Sequence, residues 1–243
     1  MAFPLPSPLR RMLEWLVYAR RDGQFHELTA LAATYEPPSA AAYRHCLPAV
    51  LAVPQRPLIM AIVIDYLRVA PWPFSRYREA TLLLASSHRG HEGWFPLIMP
   101  VTTWLARQGG HHLGFPKFIT PSIELVDDGH EVRGTATGEC GGPFALDMRF
   151  TPGLPRPLHD WEERIVADPA LFQRPFHVLK PAGVGPAAAE VWFDHRKPPT
   201  WEARTGSVVL RGHEEDLIPP GTPVLGRLHR FRGGMNLVSR PLS

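Results

Sequence analysis

A chain of 243 residues, 44% hydrophobic and 20% charged, can bury a substantial core as one large domain or two small ones, which excludes a disordered protein. Its formal charge is only +3, with 23 acidic residues interleaved among 26 basic ones and no basic run of five or six, so nucleic acid is not an expected partner. Cys46 and Cys140 are the only cysteines, too few and too far apart for a disulfide framework or a zinc knuckle.

In chain order, residues 7 to 21 read as a helix. Ser7 is a cap, Pro8 sits in the first turn, and Leu9, Leu13, Leu16 and Val17 follow at helical spacing. Glu14 and the flanking arginines make the same stretch a poor secretory segment. No apolar run is long enough to span a bilayer, so a cytoplasmic protein without a membrane partner is the expectation. From about residue 24 the pattern becomes strand-like and punctuated by 28 prolines, which argues against long helices. Short apolar runs bounded by turns cover residues 49–53, 58–69, 80–85, 95–101, 119–126, 131–137 and 144–150. Asp127-Asp128-Gly129 supplies a turn, so Leu125 to Ala136 reads as a hairpin. Two short helices are predicted among the strands, Ser39 to His45 and Thr102 to Gln108, the second stopped by Gly109-Gly110. Residues 161–164 and 168–174 read as short or irregular. Strands resume at 176–179, 188–195, 207–211 and 225–231. Gly138 to Gly142 reads as a turn. The sum is a single mainly β domain over residues 1–243, mostly antiparallel, with a few peripheral helices.

Candidate chemistry centres on Lys117, one of only three lysines with Lys180 and Lys197. It follows Gly110-His111-His112-Leu113-Gly114-Phe115-Pro116, and apolar surroundings favour the uncharged amine. A neutral lysine amine attacks carbonyl carbon and forms an imine. On the residues alone, a surface lysine in a proline-bounded loop is the preferred reading. Tyr77 and Glu79 share one face of a predicted strand. Glu79 could move protons at an imine or repel a substrate carboxylate, with Arg76 and Arg78 on the other face. Tyr77 reads as a phenolic donor or a core tyrosine. His111 and His112 are adjacent, so on a strand only one of them faces a pocket, where it could act as an acid or base near neutral pH. Phe115 would line that pocket beside the lysine. No histidine spacing matches a zinc signature. Lys180 reads as an anchor at a strand end.

These residues fall in an order that resembles the acetoacetate decarboxylase family. Leu47-Pro48 followed by Arg56-Pro57-Leu58 is similar to the family's early leucine–proline and proline–leucine pairs. Tyr77-Arg78-Glu79 is similar to its Tyr-x-Glu, and Gly114-Phe115-Pro116-Lys117 to its Schiff-base lysine motif. Arg174-Pro175-Phe176-His177-Val178-Leu179-Lys180 is similar to its arginine–proline strand. The resemblance implies a closed, cone-like antiparallel β barrel with an extended sheet and the lysine in a buried pocket. It also implies a symmetric homo-oligomer with no metal or organic cofactor. The activity implied is a carbon–carbon lyase that decarboxylates a β-keto acid through a lysine imine, with Lys117 and Glu79 catalytic and Tyr77, His112 and Phe115 binding substrate. Two alternatives remain open: aldol addition and dehydration with pyruvate, and a non-catalytic small-molecule-binding barrel. The chain departs from the family pattern at four places. Phe118 stands where a second lysine is common, and His111 replaces the glutamate before the lysine motif. Ile62 falls near the first pocket glutamate, and Glu27 near the arginine of the first strand. These departures point to a keto acid or ketone larger than acetoacetate or differently charged.

Overall fold

A computed structural model describes residues 25–69, 76–139, 143–153, 157, 160, 174–179, 188–195, 200–212, 217–219, 221 and 223–242. Four strands open the fold as an antiparallel meander: β1 (Phe25–Tyr35), β2 (Ile59–Val69), β3 (Tyr77–His88) and β4 (His91–Val101). The free edge of β4 then takes two parallel partners, β5 (Lys117–Ile119) and β9 (Phe176–Leu179). Next to β9 comes β10 (Ala188–His195), and β12 (Pro223–Pro241) pairs with β10 and with β1. That last pairing closes a barrel through β1, β2, β3, β4, β9, β10 and β12.

The sheet forks at β12. Its C-terminal half carries β10, while its N-terminal half pairs with β11 (Thr200–Gly212). From β11 the sheet continues through β8 (Pro143–Pro152), β7 (Val132–Glu139) and β6 (Ile123–Asp127). This branch folds back until β6 and β7 lie against β1, β2 and β3.

The first three strands are therefore covered on both faces. Leu31, Ile59, Val63, Leu82 and Leu84 pack outward against Ile123, Ala136, Met148 and Phe150 of the branch. Leu28, Ala32, Met60, Ile62, Tyr77 and Leu83 face the barrel interior. A strand buried on both sides needs apolar side chains at every position, which is why residues 58–69 read as one continuous apolar run rather than an alternating one. The mainly β fold, the closed ring of strands and the hairpin across Asp127–Gly129 all agree with the sequence reading.

Several local expectations need correction. Residues 49–53 form no named strand, only a turn with a single bridge from Ala52 to Ser87. Pro48 and Pro54 bracket this stretch, and each lacks a backbone donor. Helix α1 (Ala40–Cys46) starts as predicted, with the Ser39 hydroxyl accepting the Ala42 N–H. Helix α2 (Trp104–Leu113) does not stop at Gly109-Gly110 but runs through both glycines. It ends at Gly114, whose φ of 96° lets its N–H return to the Gly110 and His111 carbonyls. The predicted helix at 7–21, the segments at 161–164 and 168–173, residues 140–142 and Lys180 lie outside the described residues. No helix among the described residues is long and apolar enough to cross a membrane.

The fork depends on one close approach. Gly206 and Gly226 sit opposite each other on β11 and β12, in contact with the Phe150 ring from β8. A Cβ on Gly226 would lie 2.3 Å from Val208 Cγ2 and 2.9 Å from Phe150 Cδ2. We predict that Gly226→Ala costs about 1–3 kcal/mol by overpacking, measured as a lower midpoint in urea; an unchanged midpoint would show that the two sheets can part freely at this point.

Candidate active site

The meander determines which side chains enter the barrel. On β3 the inward positions include Tyr77, Glu79, Thr81 and Leu83, which line a cavity of about 980 Å³ counting its open mouth. The residues opposite them on β2, Tyr66, Ile64 and Ile62, line it too. From β1 come Leu28, Ala30 and Ala32. Asp65 lies on the other face of β2, where Arg76 donates to it through Nε at 3.0 Å and Arg78 also reaches it. Both arginines are thereby removed from Glu79, as strand alternation requires.

Lys117 arrives from the opposite edge of β4. It pairs with Met99, while Glu79 on β3 pairs with Val101. A tight turn aims it: after the Gly114 cap, the Phe115 N–H donates to the Gly110 carbonyl at 2.9 Å and the Lys117 N–H to the Phe115 carbonyl at 2.8 Å. The methylene stem of Lys117 then lies directly on Gly110 of α2. A Cβ at position 110 would stand 2.3 Å from Lys117 Cδ and 2.6 Å from Cε. The pair of glycines that reads as a helix stop in the sequence is instead the flat surface on which this lysine rests.

Lys117 Nζ donates to Glu79 Oε2 at 2.5 Å. Only 2% of Glu79 and 8% of Lys117 is exposed, so this is an ion pair with almost no water around it. The rings of Tyr77 and Phe115 stand 5.7 Å from Nζ, within range of a cation–π contact. Tyr66 stacks on Tyr77 with ring centroids 4.4 Å apart. Burial first, and then the negative charge of Glu79, push the Tyr66 phenol well above its ordinary value, against a smaller lowering by its hydrogen bond with Tyr77. Tyr66 therefore stays a neutral donor beside the pair. The sequence reading passed over it because nothing local distinguishes it; its role follows from the β2–β3 register that sets it opposite Tyr77.

Four of the five predicted site residues, Lys117, Glu79, Tyr77 and Phe115, meet in this cavity. His112 does not. It sits in the last turn of α2, not on a strand, and is exposed to solvent, so the argument from strand alternation fails for it. Its neighbour His111 bonds through Nε2 to the Lys117 carbonyl at 2.5 Å and so braces the lysine's backbone. Of the positions where the chain departs from the family pattern, Ile62 does line the cavity. Glu27 does not, and pairs with Arg232 instead. Further along the wall, the Trp201 indole donates to His229 Nδ1 at 3.0 Å, which leaves the ring proton on Nε2. Burial, and secondarily Arg227, hold this histidine down at about 3.

Among the described residues, the closed β barrel encloses one lysine–carboxylate pair in a largely apolar interior. The sequence matches the family model described as Acetoacetate decarboxylase (ADC) over residues 12–221, and the chain belongs to that family. Among curated proteins none matches in sequence. Solved structures share the fold. One from "Structural Studies of Acetoacetate Decarboxylase" is 17% identical with a TM-score of 0.66, covering 97% of this chain and 95% of its own. The acetoacetate decarboxylase of Legionella pneumophila subsp. pneumophila str. Philadelphia 1 is 18% identical, TM-score 0.63, covering 98% and 93%. The enduracididine biosynthesis enzyme MppR, complexed with pyruvate, is 16% identical, TM-score 0.63, covering 89% of each chain.

Two stability effects should follow from this geometry. Removing one member of a buried pair strands the other, at a cost of about 3–5 kcal/mol, whereas an apolar replacement of both is near neutral. Glu79→Leu should therefore melt well below the wild type, and Glu79→Leu/Lys117→Met should recover most of the loss in thermal unfolding. Equal melting of the single and double variants would mean the pair is not coupled. The second effect concerns pH. With His229 held at about 3 in the fold against 6.5 when unfolded, the unfolded chain takes up this proton first. Its contribution to stability is thus complete above pH 6.5 and is lost as the pH falls towards 3. Urea midpoints measured across that window should fall less steeply for His229→Gln than for wild type.

Proposed function

We propose that the protein is a carbon–carbon lyase that binds the carbonyl of a β-keto acid to Lys117 as an imine and releases carbon dioxide. The observation that carries this reading is the 2.5 Å contact between Lys117 Nζ and Glu79 Oε2 inside an apolar cavity. An ammonium cannot attack carbonyl carbon, and the adjacent carboxylate is positioned to take its proton.

The steps use the chain's own groups. Nζ gives a proton to Glu79 and adds to the substrate's carbonyl carbon. The protonated Glu79 returns that proton to the carbinolamine hydroxyl, which leaves as water, and a cationic iminium stands beside the Glu79 carboxylate. The bond to the substrate carboxylate then breaks, its electron pair moves through carbon to the iminium nitrogen, and carbon dioxide departs from a neutral enamine. One proton from solvent, passed by Glu79 or the Tyr77 hydroxyl, restores the iminium at carbon. Water adds and releases the ketone, leaving Lys117 as the ammonium beside the Glu79 carboxylate. The net reaction consumes one proton and leaves the protein unchanged.

The choice between decarboxylation and aldol addition with pyruvate rests on charge. Among the described residues lining the cavity, Lys117 is the only lysine or arginine. A substrate carboxylate there lies near the negative Glu79, and its loss as carbon dioxide relieves that repulsion. A pyruvate-derived product keeps its carboxylate with no second cation to hold it. The pyruvate bound in the MppR structure makes the aldol route the reading to exclude.

Borohydride reduction in the presence of acetoacetate, pyruvate and longer 3-oxo acids should leave a substrate-derived adduct on Lys117 by peptide mass, absent in Lys117→Ala. With 3-oxo acids the adduct mass should show that carbon dioxide has gone. Gly110→Ala, which displaces the lysine stem, should cut the trapping rate by about 10²-fold, the scale on which a misplaced reacting group loses rate. A folded protein that traps none of these compounds would favour a binding barrel without catalysis. Pyruvate consumption with an aldehyde, and no carbon dioxide release, would favour the aldol reading.

A further inference from the structure

Among the described residues, the cavity wall outside the lysine–carboxylate pair is mostly apolar. The inner positions of β1 and β2 that could present a charge to a second substrate group carry Leu28, Ala30, Ala32, Ile62 and Ile64. His229 is neutral at physiological pH for the reasons given above. Arg227, two residues along β12, is buried but is not part of the wall. A second carboxylate on the substrate would enter this space without a counter-charge, at a high desolvation cost.

The apolar wall is also ordered along one direction. Phe115, whose ring stands 5.7 Å from Lys117 Nζ, meets Phe176 of β9 edge-on, with centroids 5.3 Å apart and planes at 81°. Phe176 meets Phe193 of β10 at 5.3 Å and 68°. The three rings form a continuous edge-to-face row that begins beside the amine and crosses two strands, and Leu237 of β12 stands opposite Phe193 in the strand register. A row of this kind offers dispersion contacts to an alkyl chain or another ring and nothing to a charge.

We propose that the substrate is a monoanionic 3-oxo acid whose tail beyond the ketone is a medium-length alkyl or an aryl group, laid along the Phe115–Phe176–Phe193 row with its carbonyl at Lys117. The assignment rests on the imine reading for the position of the carbonyl. The tail contacts are independent of it.

The test compares acetoacetate, 3-oxooctanoate, benzoylacetate and 3-oxopentanedioate as substrates of the wild-type protein. Each fully buried methylene is worth about fourfold, so 3-oxooctanoate should exceed acetoacetate in kcat/KM by at least tenfold. Benzoylacetate should also exceed acetoacetate, and the dianionic 3-oxopentanedioate should be the poorest of the four. Phe193→Ala should shrink the gain from chain length more than it lowers acetoacetate turnover. A parallel titration of tryptophan fluorescence, read from Trp94 and Trp201 in the wall, measures binding of 2-nonanone, acetone and levulinate to wild type and Lys117→Met. Tighter binding of 2-nonanone by both proteins, with no borohydride adduct in wild type, would sink the imine reading and keep the apolar tail site. Borohydride adducts that form equally well, or better, with acetoacetate or the dianion would keep the imine and overturn the tail assignment.

Discussion

The site depends on one interaction, the buried contact between Lys117 and Glu79. Two opposite charges withdrawn from water gain little stability as a pair, because desolvation consumes most of their attraction. In the proposed mechanism their value is chemical: a proton crosses the 2.5 Å between them, leaving an amine to attack carbon and an acid to remove oxygen. The same dry surroundings that make the pair costly also strengthen the carboxylate's interaction with any cation formed on the nitrogen.

The fold meets that requirement by layering. The branch from β11 to β6 covers β1, β2 and β3 from outside, so that the barrel interior is left free of structural duty and can hold a cavity. Small residues then make room where the site needs it. Ala30 and Ala32 keep the β1 wall low, and Gly110 lets a helix lie against the lysine's stem. The β4 edge is the organising element, since it carries β3 with Glu79 on one side and β5 with Lys117 on the other. Farther down the lysine's side, β9 brings Phe176 into the wall.

Much of this was legible in the sequence where the signal was local. The apolar run of residues 58–69, the Asp127–Gly129 turn and the Ser39 cap each specify their own element. Tyr77 and Glu79 could be assigned to one face because strand alternation is rigid, and the structure has both in the cavity. His112 was misplaced because glycines at 109 and 110 suggest a helix end, whereas packing against Lys117 holds the helix through them until Gly114. Tyr66, Phe176 and Phe193 gave no warning, because their meeting depends on strand register, and for Phe176 also on the long-range β4–β9 pairing, rather than on a local motif. Among the described residues, Ile62 lines the cavity near where the resemblance sets the family's first pocket glutamate, and the proposed apolar substrate draws on that difference.

The most direct measurement of the central claim is the fate of the ketone oxygen. A reaction through a lysine imine must expel the substrate's carbonyl oxygen as water and take a new one from solvent when the product is released. In water enriched in ¹⁸O, 3-oxooctanoate should give a ketone carrying one solvent oxygen per turnover, beyond the exchange seen without protein. Rapid release of a ketone that keeps its original oxygen would contradict imine formation at Lys117.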